Sequence, residues 1–271
     1  MAFKIGFSME HQEKQQDDSP SIVGKTQPLP RKSLVEVYFE KRHLTLAYYN
    51  DLFDLHPGDM VYVDGKLEGL RGRVVEVNYN FKVRLSDYKK VIAVMDTTVH
   101  GQFVMAGGHF MTFDRETLPV NQAVMWFKAP KKEDDVYVSG SDETAFSLDD
   151  LGGMNVSPAI AERGRDYYIE NRVKYLCVDG NRGYAIVEGN EAYEVEFVYC
   201  DGEIRNLVCS CFCGYNCKHE VAVMLQLREM LSLIQEKYVD EHERTGYFAA
   251  IDKGVLFAFA IDGKADGKFQ L

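Results

Sequence analysis

Four cysteines and one histidine lie close together in the second half of the chain: Cys209, Cys211, Cys213, Cys217 and His219. Thiolate sulfur and imidazole nitrogen are the ligands that Zn²⁺ prefers in proteins. Disulfides between such close neighbours would be strained in most pairings. We therefore interpret the cluster as a metal site.

The spacing of these residues predicts which structural elements carry them. Cys209 and Cys211 are two positions apart at the end of a predicted strand, so both sulfurs point to the same side. Cys217 and His219 are also two apart, a separation that would direct them about 200° apart around a regular helix. The helix must therefore begin at or near His219. A strand end then supplies two sulfurs, and the turn into a helix supplies a sulfur and an imidazole, which together make a closed tetrahedral Cys3His zinc shell.

The string C-x-C-x5-C-x-H, with the helical sequence EVAVMLQL directly after it, resembles the SWIM-type zinc finger of bacterial proteins. The likeness extends upstream through ERGRDYYIENRVKYL and GYAIVEGNEAYEVEF and covers about residues 157–233. The resemblance implies a ββα module and interaction with DNA or protein partners, often beside a helicase-like ATPase. It also implies that Cys209, Cys211, Cys217 and His219 are the zinc ligands.

Cys213 departs from the family pattern and offers an alternative ligand set, in which it replaces Cys209. We favour the family set because a five-residue loop joins the two ligand pairs with less strain than a three-residue loop. A closed shell of four protein ligands has no position for a reactive water. The chain also has no H-E-x-x-H, G-x-S-x-G or complete Walker motif. We therefore predict a protein that is not an enzyme, with a thiol- or metal-dependent enzyme using Cys213 as the alternative.

Residues 151–240 are predicted to form the zinc domain. Ser157-Pro158 starts a helix that runs to about residue 170. Four β-type runs follow, separated by Asp179-Gly180, Gly189-Asn190 and Asp201-Gly202, which favours an antiparallel meander. A long helix is expected over residues 220–237, which contain neither glycine nor proline. Residues 241–271 are expected to add further strands.

The first half of the chain has a different pattern, and the fold class that we expect for the whole chain is α+β. Residues 31–130 contain short β-type runs between turn residues, which predicts a small β-barrel-like module. Residues 1–30 are expected to be a disordered tail. Residues 131–150 are interpreted as an acidic linker.

The charge distribution bears on the choice of partner. The chain carries a formal charge of −11, whereas residues 31–90 hold eleven Lys/Arg against nine Asp/Glu and are net +2, which leaves −13 for the rest. An acidic protein of this kind is repelled by the phosphate backbone. We therefore expect a protein partner, with weak DNA binding through the N-terminal module. There, basic residues alternate with aromatic ones: Arg71, Arg73, Tyr79, Phe81, Lys82, Arg84, Tyr88, Lys89 and Lys90.

No membrane segment is expected. The longest apolar run, residues 255–261, is far shorter than the roughly 20 residues that a transmembrane helix needs. The first twenty residues contain no apolar core of a secretory signal. The sequence therefore favours a cytoplasmic location.

Overall fold

The computed structural model describes residues 30–130, 140, 145–211 and 213–260, together with the backbone of residues 265–270. Apart from Pro30, the predicted N-terminal tail lies outside the described residues. The predicted acidic linker is described only at Gly140 and from Ala145 onwards.

The N-terminal part of the chain forms a five-stranded antiparallel sheet in the order β2-β1-β4-β3-β5. In β1 every second residue is buried, as expected for a strand with one face on a core. These inward residues pack against apolar side chains of the neighbouring strands. The strands are β1 (Ser33–Phe39), β2 (Leu44–Asn50), β3 (Met60–Val63), β4 (Gly72–Asn78) and β5 (Val91–Val94).

This sheet is not the barrel that the sequence suggested. Its two edge strands meet at a single parallel bridge between Tyr49 and Lys90, where the Tyr49 N–H donates to the Lys89 carbonyl at 2.9 Å. No ladder joins β2 to β5 in the described part of the chain. The bridge does not continue because β2 ends at Asn50, whose side chain closes a turn by bonding the backbone of Phe53. The expected barrel is therefore corrected to an open sheet.

A nine-stranded sheet contains the rest of the strands, in the order β14-β6-β7-β13-β9-β10-β11-β12-β8. Neighbouring strands are antiparallel except β14, which runs parallel to β6. The expected meander is present as β9 to β12. The nine strands are β6 (Val99–Ala106), β7 (His109–Thr112), β8 (Ala145–Ser147), β9 (Val173–Asp179), β10 (Arg182–Glu188), β11 (Ala192–Cys200), β12 (Glu203–Cys209), β13 (Tyr247–Asp252) and β14 (Ala265–Gln270).

The nine-stranded sheet draws strands from both sides of the predicted linker. Strands β6 and β7 belong to the predicted N-terminal module, yet β7 pairs with β13. Strand β8 lies within the predicted linker and pairs with β12. The division of the chain into separate folding units stays a prediction.

Five helices are described: α1 (Val120–Phe127), α2 (Pro158–Ile169), α3 (Lys218–Lys237), α4 (Val239–Thr245) and α5 (Lys253–Ala260). Helix α2 begins where the sequence predicts, with the Ser157 hydroxyl accepting the Ile160 N–H at 3.4 Å. Helices α1 and α5 replace strands that the apolar runs suggested. In α1, Ala123 and Trp126 are three positions apart and both buried, which is helical spacing. At the start of α5, the Asp252 carboxylate accepts the Val255 N–H at 2.9 Å.

The two faces of the nine-stranded sheet are covered by different helices. Side chains of α3, with Ile160 and Tyr167 of α2, pack on one face, and α1 and α5 pack on the other. Within the described residues, no helix combines the length and the apolar character required to cross a bilayer. The packing of α3 on the sheet places its first turn beside the end of β12, where the cysteine cluster lies.

Candidate metal centre

The structure brings three cysteines and the histidine together at the junction between β12 and α3. Cys209 is the last residue of β12, Cys217 immediately precedes α3, and His219 lies in the first turn of that helix. The ligand atoms of Cys209, Cys211, Cys217 and His219 all lie within 4.8 Å of one another. This Cys3His cluster is geometrically suitable for a metal ion.

Backbone pairing holds Cys211 in place although β12 has ended. The Ser210 N–H donates to the Glu194 carbonyl at 2.9 Å, and the Ser210 hydroxyl accepts the Glu194 N–H at the same distance. These bonds keep the chain against β11 for one more residue. Cys209 therefore lies on the strand, and Cys211 lies on the turn that directly follows it.

Reciprocal bonds at the helix start position Cys217. The Glu220 carboxylate accepts the Cys217 N–H at 2.7 Å, and the Cys217 side chain accepts the backbone N–H of Glu220. This is the capping-box arrangement, with sulfur in the place of the usual hydroxyl. Burial, assisted by the negative charge of Cys217, raises the pKa of Glu220 to about 8.

His219 presents its Nδ1 atom to the cysteines. Nδ1 lies 3.6 Å from Cys209 Sγ and 3.7 Å from Cys217 Sγ. The imidazole stacks on the ring of Tyr193 at a centroid distance of 4.2 Å, and Tyr167 contacts it edge-on at 5.4 Å. Its Nε2 atom is buried and has no hydrogen-bond partner among the described residues. The ring is therefore oriented by aromatic packing.

The thiols cannot all ionise without a cation, because like charges at this distance repel strongly. The Cys209 thiol donates to Cys217 Sγ, which lowers the pKa of Cys217 below its usual range. The same shared proton, together with burial, raises the pKa of Cys209. Burial also raises the pKa of Cys211. A bound cation would take the place of the shared proton and allow all three sulfurs to be thiolates.

Cys213 lies outside this cluster. Its side chain is exposed, in contrast to those of the four clustered residues. It lines a cleft of about 400 Å³ next to the cluster, together with Tyr215 and Glu220. The two remaining cysteines are also apart from the cluster: Cys177 is buried on β9, and Cys200 is exposed at the end of β11.

Sequence reasoning missed three residues that contact the ligands of the cluster: Glu220, Tyr193 and Tyr167. The spacing between Cys217 and Glu220 is that of a capping box, so this contact had a signal in the sequence. Tyr193 and Tyr167 had none, because their approach to His219 depends on how β11 and α2 pack around α3.

The chain matches no protein-family profile and no solved structure. It is similar to an uncharacterised protein of Methanocaldococcus jannaschii, with 41% identity over 71 residues. The aligned part is 26% of this chain and spans 30% of the relative's length. This relative's description assigns no activity.

Proposed function

We propose that the chain is a zinc-binding interaction protein in which Cys209, Cys211, Cys217 and His219 hold one Zn²⁺. The observation that carries the proposal is the mutual approach of their four ligand atoms to within 4.8 Å. Tetrahedral zinc, with Zn–S near 2.3 Å and Zn–N of about 2.0–2.1 Å, separates a sulfur from a nitrogen by about 3.6 Å. The distances of 3.6 and 3.7 Å from His219 Nδ1 to two sulfurs support this geometry.

The proposed zinc is structural. Four protein ligands complete a tetrahedral shell, so water has no coordination position from which to react. The ion would instead tie the end of β12 to the start of α3, two segments that a loop separates. Zinc in such sites contributes directly to the free energy of folding.

The proposed partner of the zinc region is a protein. Residues 191–220 carry six acidic side chains against Arg205 and Lys218. Three thiolates on Zn²⁺ with a neutral imidazole add a further net charge of about −1. Such a region repels phosphate. The resemblance to SWIM-type fingers suggests a helicase-like ATPase as the candidate partner, to which this chain would be an accessory.

Zinc content of the purified full chain tests the site. We expect native mass spectrometry to find one Zn²⁺ per chain in the wild type and in Cys213→Ser, because Cys213 lies outside the cluster. We expect Cys209→Ser to lose the ion, since a hydroxyl is a much weaker zinc ligand than a thiolate. Metal-free wild type purified without chelators would contradict the proposal. Equal zinc loss in both variants would contradict the ligand set.

A thiol-dependent enzyme is the second candidate, and the cleft beside the exposed Cys213 is the observation in its favour. Cys200 is also exposed, but its thiol donates to the Asp201 carboxylate, which raises the pKa of Cys200, so free cysteine serves as the reference. We expect iodoacetamide to modify Cys213 of the zinc-loaded chain at the rate of an ordinary exposed thiol. Modification much faster than that of free cysteine at neutral pH would favour the enzyme.

A further inference from the structure

One end of the five-stranded sheet concentrates cations and aromatic rings, and we infer that it binds single-stranded nucleic acid. We call this surface the basic end. The inference rests on the proposed role as a binding protein and is independent of the zinc site. The basic end consists of Arg31, Tyr79, Phe81, Lys82, Arg84, Tyr88 and Lys89.

Strand pairing gathers these residues from distant parts of the sequence. Leu34 in β1 lies opposite both Tyr49 in β2 and Asn78 in β4, so the start of β1 and the ends of β2 and β4 share one end of the sheet. The connection from Tyr79 to Lys90 begins at the same end and passes the end of β2 at the Tyr49–Lys90 bridge. The resulting surface unites Arg31 with a loop that is about 50 residues away in the chain.

Ring contacts show how close these groups are. The Arg31 guanidinium carbon lies 4.6 Å from the centroid of the Tyr79 ring. The rings of Tyr49 and Phe81 meet edge to face at a centroid distance of 6.2 Å. Arg31 therefore lies against one ring of the basic end, and a second ring of this end, Phe81, packs on the buried Tyr49.

The charge of the basic end is available to a ligand. Arg31, Lys82, Arg84 and Lys89 are exposed and make no ion pair within the described part of the chain. Lys90 beside them is neutralised by Asp51 at 3.0 Å. Within the described part of the chain, acidic residues near this end include Asp64, which accepts the Lys90 N–H, Asp87 in the loop and the exposed Asp54 just after β2. The cations outnumber these acids although the whole chain is at −11, which indicates a polyanionic ligand.

The aromatic rings favour a single strand over a duplex. Tyr79, Phe81 and Tyr88 are half-buried, so each ring is anchored and still partly accessible. Unpaired bases stack on such rings, whereas the bases of a duplex are stacked on one another and offer only their edges. Leu85 in the same loop exposes 56% of its surface and adds an apolar contact. An acidic peptide would use the cations alone.

Fluorescence anisotropy with the full chain tests the inference. The probes are fluorescein-labelled oligo(dT) and oligo(U) of about 20 nucleotides, longer than the roughly 4–16 nucleotides that small binding modules cover. A duplex of equal length and poly-glutamate serve as competitors. We expect both single strands to bind, with affinity falling between roughly 50 and 200 mM salt. The ratio of the two affinities measures preference between DNA and RNA.

Two double variants that remove the same charge at different places distinguish binding at the basic end from a general effect of the protein's charge. We expect Lys82→Ala/Arg84→Ala to weaken binding about tenfold at 0.1 M salt and to reduce the salt slope by about 1.4, or roughly 0.7 per lost contact. Lys41→Ala/Arg42→Ala removes the same charge from the exposed turn between β1 and β2, at the opposite end of β1, and should have little effect. Tyr88→Leu should weaken binding at least about fivefold by removing a stacking ring.

Three results would overturn the inference: no binding at the lower salt, equal loss in both double variants, or competition by duplex or poly-glutamate as strong as by unlabelled single strand. The zinc content of every variant is measured in parallel. Absence of nucleic-acid binding by wild type that carries one Zn²⁺ would refute this surface and leave the proposed zinc site standing.

Discussion

His219 illustrates how the candidate metal centre is arranged at the scale of single residues. Its Nδ1 atom faces the sulfurs, and its ring is clamped between Tyr193 and Tyr167. Many metal-binding histidines are oriented instead by a hydrogen bond from the other ring nitrogen. Here Nε2 is buried without such a partner in the described residues, so aromatic contact must do the orienting.

If the centre binds zinc as proposed, removing the stacked ring should make the ion easier to release. We expect Tyr193→Leu to increase the rate of metal transfer to a chromogenic chelator by about tenfold, within the 10- to 100-fold range seen for partners that orient metal ligands. Tyr193→Phe keeps the stacked ring and should behave like the wild type. Equal transfer rates for the Leu and Phe variants would show that the stack has no role in holding the ion.

At the scale of elements, the centre depends on how closely α2 approaches α3. A Cβ atom added at Gly164 of α2 would lie 2.5 Å from Val221 Cβ and 3.0 Å from the Lys218 carbonyl oxygen. Both neighbours are in the first turns of α3, beside His219. Glycine is therefore required at this helix crossing by the space available.

We expect Gly164→Ala to lower the free energy of unfolding by about 1–3 kcal/mol because the two helices must separate. This outcome opposes helix propensity, which favours alanine by about 1 kcal/mol. Glu162→Ala, at an exposed position of the same helix, should change stability by less than about 0.5 kcal/mol. Urea denaturation of both variants measures the difference, and a stabilised Gly164→Ala would refute the close approach.

His109 connects three strands of the nine-stranded sheet. It lies opposite Asp252 of β13, and its Nε2–H donates to the Val173 carbonyl of β9 at 2.6 Å. Its Nδ1 atom is buried without a partner in the described residues. Burial lowers the pKa of His109, although the Val173 carbonyl and the charges of Asp252 and Glu229 oppose this shift.

A histidine held neutral in this way should make the fold sensitive to acid. Since the unfolded chain binds the proton at a higher pH than the folded chain, stability is complete above about pH 6.5 and declines as pH falls below it. We expect His109→Gln, whose amide can still donate to Val173, to reduce the loss of stability between about pH 7.5 and 5.5. His100→Gln, an exposed position on β6, is the control. An unchanged pH dependence in His109→Gln would contradict a depressed pKa.

At the scale of the whole molecule, α1 links the two sheets. The Tyr62 hydroxyl of β3 donates to the Met125 carbonyl at 3.0 Å, and Arg71 donates to the Trp126 carbonyl at 2.7 Å. The candidate metal centre lies elsewhere, between β12 and α3. The core of the five-stranded sheet is a separate cluster of side chains from those that pack against α3.

Loss of metal should therefore act locally at first. In Cys217→Ser we expect hydrogen exchange to become faster at the end of β12 and in the first turns of α3, because their cross-link is removed. Strands β1 and β4 should keep the protection that they have in the wild type. Simultaneous loss of protection in both sheets would show that the chain unfolds as one unit and would contradict the predicted division into domains.

The sequence by itself determined the local features of this protein. The capping serine before α2, the Asp-Gly turns of the meander and the uninterrupted periodicity of α3 depend on neighbouring residues, and each is found in the structure. The cysteine cluster could also be predicted, because its members are close together in the sequence, between the end of β12 and the start of α3. The requirement that a helix start near His219 follows from helix geometry once Cys217 and His219 are interpreted as ligands of one ion, and it agrees with α3 beginning at Lys218.

Tertiary structure decided the features that depend on distant contacts. The apolar runs of α1 and α5 fit either a strand or a helix, and their burial against the sheet selected the helix. Strands β6 and β7 joined the larger sheet because β13, more than 130 residues further along the chain, pairs with β7. The Tyr193 stack and the contact between Arg31 and Tyr79 likewise arise from strand register and packing. Sequence patterns report local conformational preference, whereas the choice of partner is made by the free energy of burying surfaces that are far apart in the chain.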